Sequence, residues 1–96
     1  RIKITGTDDV KAYGRDVLTA FEQRAKDKGL QIASPSYEGV RLIFPGGWAL
    51  LRMSLHDPNM PLNIEADAAG GADVIEREIR ALLAGFDALD LSGFHA

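Results

Sequence analysis

Apolar positions along this chain recur at two different periods, and the changes from one to the other divide it into elements. Ile2 and Ile4 alternate with Lys3 and Thr5, the period of a short, half-buried strand. From Thr7 onward Val10, Tyr13, Val17, Phe21 and Ala25 fall three or four residues apart, and Leu18 widens the stripe. That spacing predicts an amphipathic helix facing a core. Thr7 is expected to cap it, with Asp8 and Asp9 placing negative charge in the first turn. Lys26, Lys28 and Gly29 mark its end. Gly14 within the helix costs about 1 kcal/mol relative to alanine, a cost that a close helix-to-sheet approach would explain.

A brief strand is expected over residues 30–33, followed by a turn at Ser34-Pro35-Ser36 ahead of Tyr37 and Glu38. Two stronger strands follow, over residues 40–44 and 48–55. Pro45-Gly46-Gly47 joins them as an antiparallel hairpin. Leu62, Ile64 and Ala66 alternate with Asn63, Glu65 and Asp67, which predicts a strand with one apolar face. After Gly70 and Gly71, Asp73 and Glu76 have capping-box spacing, and Ile75, Ile79, Leu82, Leu83 and Phe86 lie on one helical stripe. Leu89, Leu91 and Phe94 are left to pack back on the core or to fray. The order is strand, helix, about four antiparallel strands, helix, an α+β architecture. Two helices with one apolar stripe each cover one face of the sheet, so function is expected on the open face and its rim.

Composition narrows what that surface does. The chain has 96 residues, 46% hydrophobic and 26% charged, with a net charge of −3 and no cysteine. That is the size of one domain and the balance of a globular one, spanning residues 1–96. Without a basic excess, non-specific binding to nucleic acid or to an anionic membrane is not expected. Disulfides, thiolate chemistry and cysteine-based zinc sites are excluded. The chain also lacks a run of about 18 apolar residues and a secretion-signal layout, so a cytoplasmic location is expected. It begins with Arg1 rather than Met, which suggests processing or a piece of a longer polypeptide.

The densest chemistry follows the tryptophan-bearing strand. Alternation puts Trp48, Leu50, Arg52 and Ser54 on one face. Directly after them, Leu55-His56-Asp57-Pro58-Asn59-Met60-Pro61 reads as a loop stiffened by two prolines. A guanidinium, a hydroxyl and several loop amides converging on one spot suit a dianionic phosphate. The plainer reading of Arg52 is an edge arginine paired with Glu65 or Asp67. Other constellations are weaker. His56 and His95 stand too far apart in sequence to imply a metal site. Trp48 and Tyr37 lack the basic interleaving of an RNA-binding sheet. Glu65 and Asp67 read as a solvated rim.

The segments Gly39-Val40-Arg41, Gly47-Trp48-Ala49-Leu50-Leu51-Arg52-Met53-Ser54, Asp57-Pro58 and Leu62-Asn63-Ile64-Glu65-Ala66 resemble the C-terminal (fourth) domain of the α-D-phosphohexomutases, the phosphomannomutase/phosphoglucomutase family. The resemblance covers essentially the whole chain. It implies a TATA-box-binding-protein-like (TBP-like) fold and a domain that closes over a hexose phosphate and grips its phosphate. Arg52 and Ser54 fall on the family's phosphate-binding arginine and serine, Leu55 and His56 on loop positions that contact the same phosphate, and Asp57 and Pro58 on positions that shape the loop. Where the family has Asn or Gly, then Thr, then Glu, this chain has Leu55, His56 and Asp57. The missing threonine hydroxyl makes His56 the expected replacement donor, with phosphate affinity falling from about pH 6 to about pH 8 as an imidazole loses its proton.

The resemblance further implies an isomerase that interconverts hexose 1-phosphate and hexose 6-phosphate by phosphoryl transfer from a phosphoserine, with Mg²⁺ in an aspartate-rich loop. Ser34, Ser36 and Ser92 have no adjacent base, and no D-x-D-x-D run exists. Phosphoserine and Mg²⁺ are therefore expected in other domains of the same polypeptide, and neither catalytic nor metal-ligating residues are expected in this chain. Its partners would be the hexose phosphate and those domains. The alternatives are a free-standing small-ligand-sensing or regulatory α+β module without catalysis, and a catalytically silent paralogue.

Overall fold

In the computed structural model, which describes residues 2–33, 39–54 and 56–94, the N-terminal alternation is realised as strand β1 (Ile2–Ile4), with both isoleucines buried and Lys3 exposed. Helix α1 (Val10–Asp27) buries Gly14, Val17, Phe21 and Ala25. It starts later than the sequence suggests. Asp9, not Thr7, is the cap, its carboxylate accepting from the Ala12 amide at 3.0 Å. Thr5 is held back by a backbone bond from its amide to the Ala88 carbonyl, so the chain leaves the sheet too late for Thr7 to begin the helix. Gly29, at φ 74°, follows the C-terminal turn.

Strands β2 (Gln31–Ile32), β3 (Gly39–Phe44) and β4 (Gly47–Arg52) come next. The turn expected at Ser34-Pro35-Ser36, with Tyr37 and Glu38, lies outside the described residues. The hairpin forms as read, with Phe44 opposite Gly47 and Gly39 opposite Arg52. β4 ends at Arg52 rather than at residue 55, because the chain then turns away.

That turn contains the largest departure from the sequence reading. Within the stretch read as a loop, Asn59–Met60 form strand β5, which pairs antiparallel with β1. Met60 is fully buried. Two residues between Pro58 and Pro61 show no periodicity, and only the partner strand reveals them. Strand β6 (Leu62–Ala66) then pairs with β4. Helix α2 (Gly71–Leu82) begins on Gly70, at φ 81°, with no side-chain cap. The expected capping box is thus displaced: Asp73 sits in the first turn instead, where its charge still meets the positive helix end. Strand β7 (Leu89–Asp90) pairs with β1, so the C-terminal apolar residues do pack: Leu91 and Phe94 lie against the core.

The ladders form two antiparallel sheets, ordered β5-β1-β7 and β2-β3-β4-β6. They meet along the chain after β4, where Ser54 donates to the Asn59 carbonyl and Arg52 to the Pro61 carbonyl, both at 3.1 Å. The core faces of β3 and β4 bury Val40, Leu42, Ala49 and Leu51 against Phe21, Ile79 and Leu82. Gly14 has the close approach its sequence position implied: a Cβ there would overlap the Met53 sulfur. Arg24 ties the helices together, donating to the Leu82 and Ala84 carbonyls at 2.8 and 2.9 Å with its guanidinium 4.9 Å from the centre of the Phe86 ring. The opposite face of β3 and β4, carrying Arg41, Ile43, Trp48 and Leu50, has no helix on it among the described residues.

Candidate functional site

The strand-to-loop junction is built by backbone bonds before any side chain contributes. The Ser54 amide donates to Asn59 across the loop, and the Asn59 amide donates to the Asp57 carbonyl at 2.8 Å. The Ile4 amide, from β1, donates to the Pro58 carbonyl at 2.8 Å. The loop is therefore held by β1 on one side and by bonds across itself. Ser54 adds a side-chain bond, its Oγ accepting from the Asp57 amide at 3.2 Å. A hydroxyl that accepts one bond still has a proton to donate.

Above this loop lies a cavity of about 230 Å³, lined by Val10, Lys11, Met53, Ser54, His56, Asp57 and Pro58. The structure thus brings together Ser54, His56, Asp57 and Pro58. Leu55 lies outside the described residues. Arg52, half-buried at the last position of β4, is not among the described residues lining the cavity. Past the end of β4 the amides of Arg52 and Ser54 still bond in step to the Pro61 and Asn59 carbonyls. Arg52 also lacks the ion pair of the plainer reading. The register sets Glu65 opposite Trp48, whose indole nitrogen donates to it at 2.9 Å. Among the described residues, Arg52 has no hydrogen-bonding or ionic partner for its side chain.

Lys11 is the residue that the sequence reading missed. It belongs to the first turn of α1, on the solvent side of the helical stripe, and nothing in the pattern ties that turn to the loop after β4. The link is tertiary: Gly14 lets Met53 press against α1, and this seats the loop beside the start of the helix. At this end the macrodipole is positive, and Lys11 and Asp57 both line the cavity. Beneath the loop the Asn59 Oδ1 is buried with no donor among the described residues, an arrangement that costs about 1–3 kcal/mol.

A second cavity of about 200 Å³, with an apolar floor of Ile2, Leu62 and Ile64, has the opposite electrostatics. Glu76 and Asp90 stand on it, and Asp90 is held below the usual carboxylate range by its bonds from the Ser92 hydroxyl and amide. It therefore stays charged to lower pH and repels anions. Of these two cavities, the one beside the loop carries a lysine, Lys11, as a phosphate would require. Neither suits a divalent cation: no three His, Asp or Glu among the described residues are grouped to share one. No helix among the described residues is long and apolar enough to cross a membrane.

A scan of the chain against protein-family models matches no family, and no curated protein matches it.

Proposed function

We propose that this chain is the C-terminal, TBP-like domain of a phosphohexomutase, a phosphomannomutase/phosphoglucomutase, and that it binds the phosphate of a hexose phosphate and closes the active site. The observation that carries this reading is the loop after β4, held by backbone bonds from β1 and from within, beside a cavity where Ser54, His56 and Lys11 meet. Ser54 donates its hydroxyl proton to a phosphate oxygen, and His56 takes the place of the family's threonine. Arg52, whose guanidinium has no counterion among the described residues, supplies a bidentate contact from the rim. Leu55 contributes its amide, and Asp57 and Pro58 shape the turn. The work of the domain is to fix the substrate's orientation and to exclude water, which lowers the barrier for a phosphoryl transfer carried out elsewhere.

On this reading the phosphoserine and the Mg²⁺ loop lie in other domains of the same cytoplasmic polypeptide. The chain alone interconverts nothing, and neither nucleic acid nor membrane is a partner. The departure at Leu55-His56-Asp57 favours a second reading, a free-standing module that senses a small anionic ligand.

Titration of the chain with hexose 6-phosphate, hexose 1-phosphate and inorganic phosphate, followed by amide NMR, separates these. Similar affinities near about 1 mM for all three, with shifts at residues 54–58, support the mutase domain, which touches only the phosphate end. Affinity at or below about 1 µM for one of them supports the sensor. Arg52→Ala is expected to weaken binding about tenfold or more, since a charged phosphate contact is worth about 1.5–3 kcal/mol. Unchanged affinity would show that Arg52 does not touch the ligand.

A further inference from the structure

Among the described residues, strand β6 pairs on one side only, with β4. The register of that pair, and the bonds that continue it from the Arg52 amide to the Pro61 carbonyl and from the Asp67 amide to the Gly46 carbonyl, fix which way each backbone group points. Asn63 and Glu65 turn theirs toward β4, while Leu62, Ile64 and Ala66 turn theirs away from it. On that outer edge β1 already occupies the neighbouring positions: the Ile4 amide donates to the Pro58 carbonyl, and Ile2 pairs with Met60. Beyond Met60 no strand or backbone bond among the described residues follows along Leu62, Ile64 and Ala66. Three N–H and three C=O groups thus stand in a line at intervals of about 6.8 Å, the template for one more strand. The side chains of Leu62 and Ile64, half-buried on the face that α2 packs against, floor the cavity of about 200 Å³ that Glu76 and Asp90 also line. On the other face Glu65 is exposed.

We propose that the free edge of β6 takes an extended segment of a partner protein, added antiparallel to β6, in which apolar residues facing the cavity alternate with lysine or arginine on the Glu65 face. An extended chain is the ligand that presents donors and acceptors at this spacing. The antiparallel sense continues that of β1, which meets the same edge at Met60. A residue placed opposite Ile64 has its side chain on the Ile64 face, over the cavity, and its own N–H and C=O directed at β6. Residues opposite Asn63 and Glu65 have theirs on the other face. On the cavity side the charges are close to balanced, with Lys3 opposite Asp90 in the β1–β7 ladder and Arg80 one turn after Glu76 on α2. On the other side the sign is set by Glu65, whose carboxylate accepts from the neutral indole of Trp48, while Arg41 lies two strands away on β3. A cation opposite Glu65 is therefore favoured, as is a basic partner for a chain of net charge −3. A second copy paired edge to edge about Ile64 would set Asn63, not a cation, opposite Glu65 and is the poorer fit. The edge is independent of what the loop cavity binds.

The test is hydrogen-exchange NMR of the chain with a short synthetic peptide of alternating valine and lysine, blocked at both ends. In the free chain the Leu62, Ile64 and Ala66 amides are expected to exchange rapidly and those of Asn63 and Glu65 slowly. With the peptide at up to about 1 mM, the first three are expected to slow at least about tenfold. N-methylation of the valines removes the donors aimed at β6 and is expected to abolish this protection, whereas N-methylation of the lysines is expected to leave affinity within about threefold. A peptide of alternating valine and glutamate is expected to bind at least about tenfold more weakly, and Glu65→Lys to reverse that preference. Failure of the valine–lysine peptide to protect the three amides overturns the proposal, as does equal harm from the two N-methylations or equal binding of the glutamate peptide. Slow exchange of the three amides without peptide, whether at every concentration or growing with that of the chain, overturns it too, since the edge is then covered by this chain or by a second copy.

Discussion

The two ends of strand β4 are built in opposite ways. At Gly47 the chain reverses through Pro45 and Gly46, and both neighbouring strands close on the turn: Phe44 pairs with Gly47, Gly47 with Ala66, and the Asp67 amide donates to the Gly46 carbonyl at 2.7 Å. At Arg52 β4 ends, and beyond it Pro58 accepts from Ile4 of β1, the Ser54 amide donates to the Asn59 carbonyl and the Ser54 Oγ accepts from the Asp57 amide, with His56, Asp57 and Pro58 exposed. The first end is closed by backbone pairing to both neighbouring strands. The second is fixed from below and open above, which lets a loop present donors without being rebuilt when a ligand arrives. The support of the candidate loop thus comes from what lies under it.

The strongest test of that contrast is to remove the support. Met60, fully buried in β5, anchors the loop end as Gly47 anchors the turn end. Met60→Ala is expected to cost about 2–5 kcal/mol. At about 4–8 °C per kcal/mol, thermal unfolding should move down by roughly 10–40 °C. A shift of only a few degrees would mean that β5 is a loosely attached flap rather than a foundation.

A smaller loss is expected at the closed end. A Cβ at Gly47 would overlap the Glu65 carbonyl oxygen and come within 2.7 Å of the Ile75 Cδ1. The first obstacle is backbone and cannot swing aside, so Gly47→Ala is expected to cost about 1–3 kcal/mol. Calorimetry that finds no loss would show that α2 and β6 shift freely around the turn.

The sequence was readable wherever a side chain's neighbours lie within one element. Alternation in 40–44 and 62–66 and the helical stripes of α1 and α2 all appear with the expected faces, as do the Pro45-Gly46 reversal and the close approach at Gly14. Caps were less readable, because Asp9 and Thr7 are both good caps and only the Thr5–Ala88 bond decides between them. β5 was unreadable: two residues between prolines carry no period, and their partner lies at the other end of the chain. The candidate loop itself was found from Arg52, Ser54 and Pro58. Lys11 was not, since its place at the cavity depends on α1 docking on Met53.

The smallest expected effect on the fold is the one that bears most directly on function. An arginine at a strand end is ordinarily explained by a neighbouring carboxylate, and Glu65 is close in sequence pattern. The register, however, pairs Glu65 with Trp48 four residues before Arg52, too far for an ion pair. With no partner for its side chain among the described residues, Arg52 offers the fold little beyond packing of its methylenes. Arg52→Ala is therefore expected to change unfolding by less than about 0.5 kcal/mol in urea while weakening phosphate binding. A loss above about 1.5 kcal/mol, comparable to that from Gly47→Ala, would make Arg52 a structural residue and erase the difference between the two ends of β4.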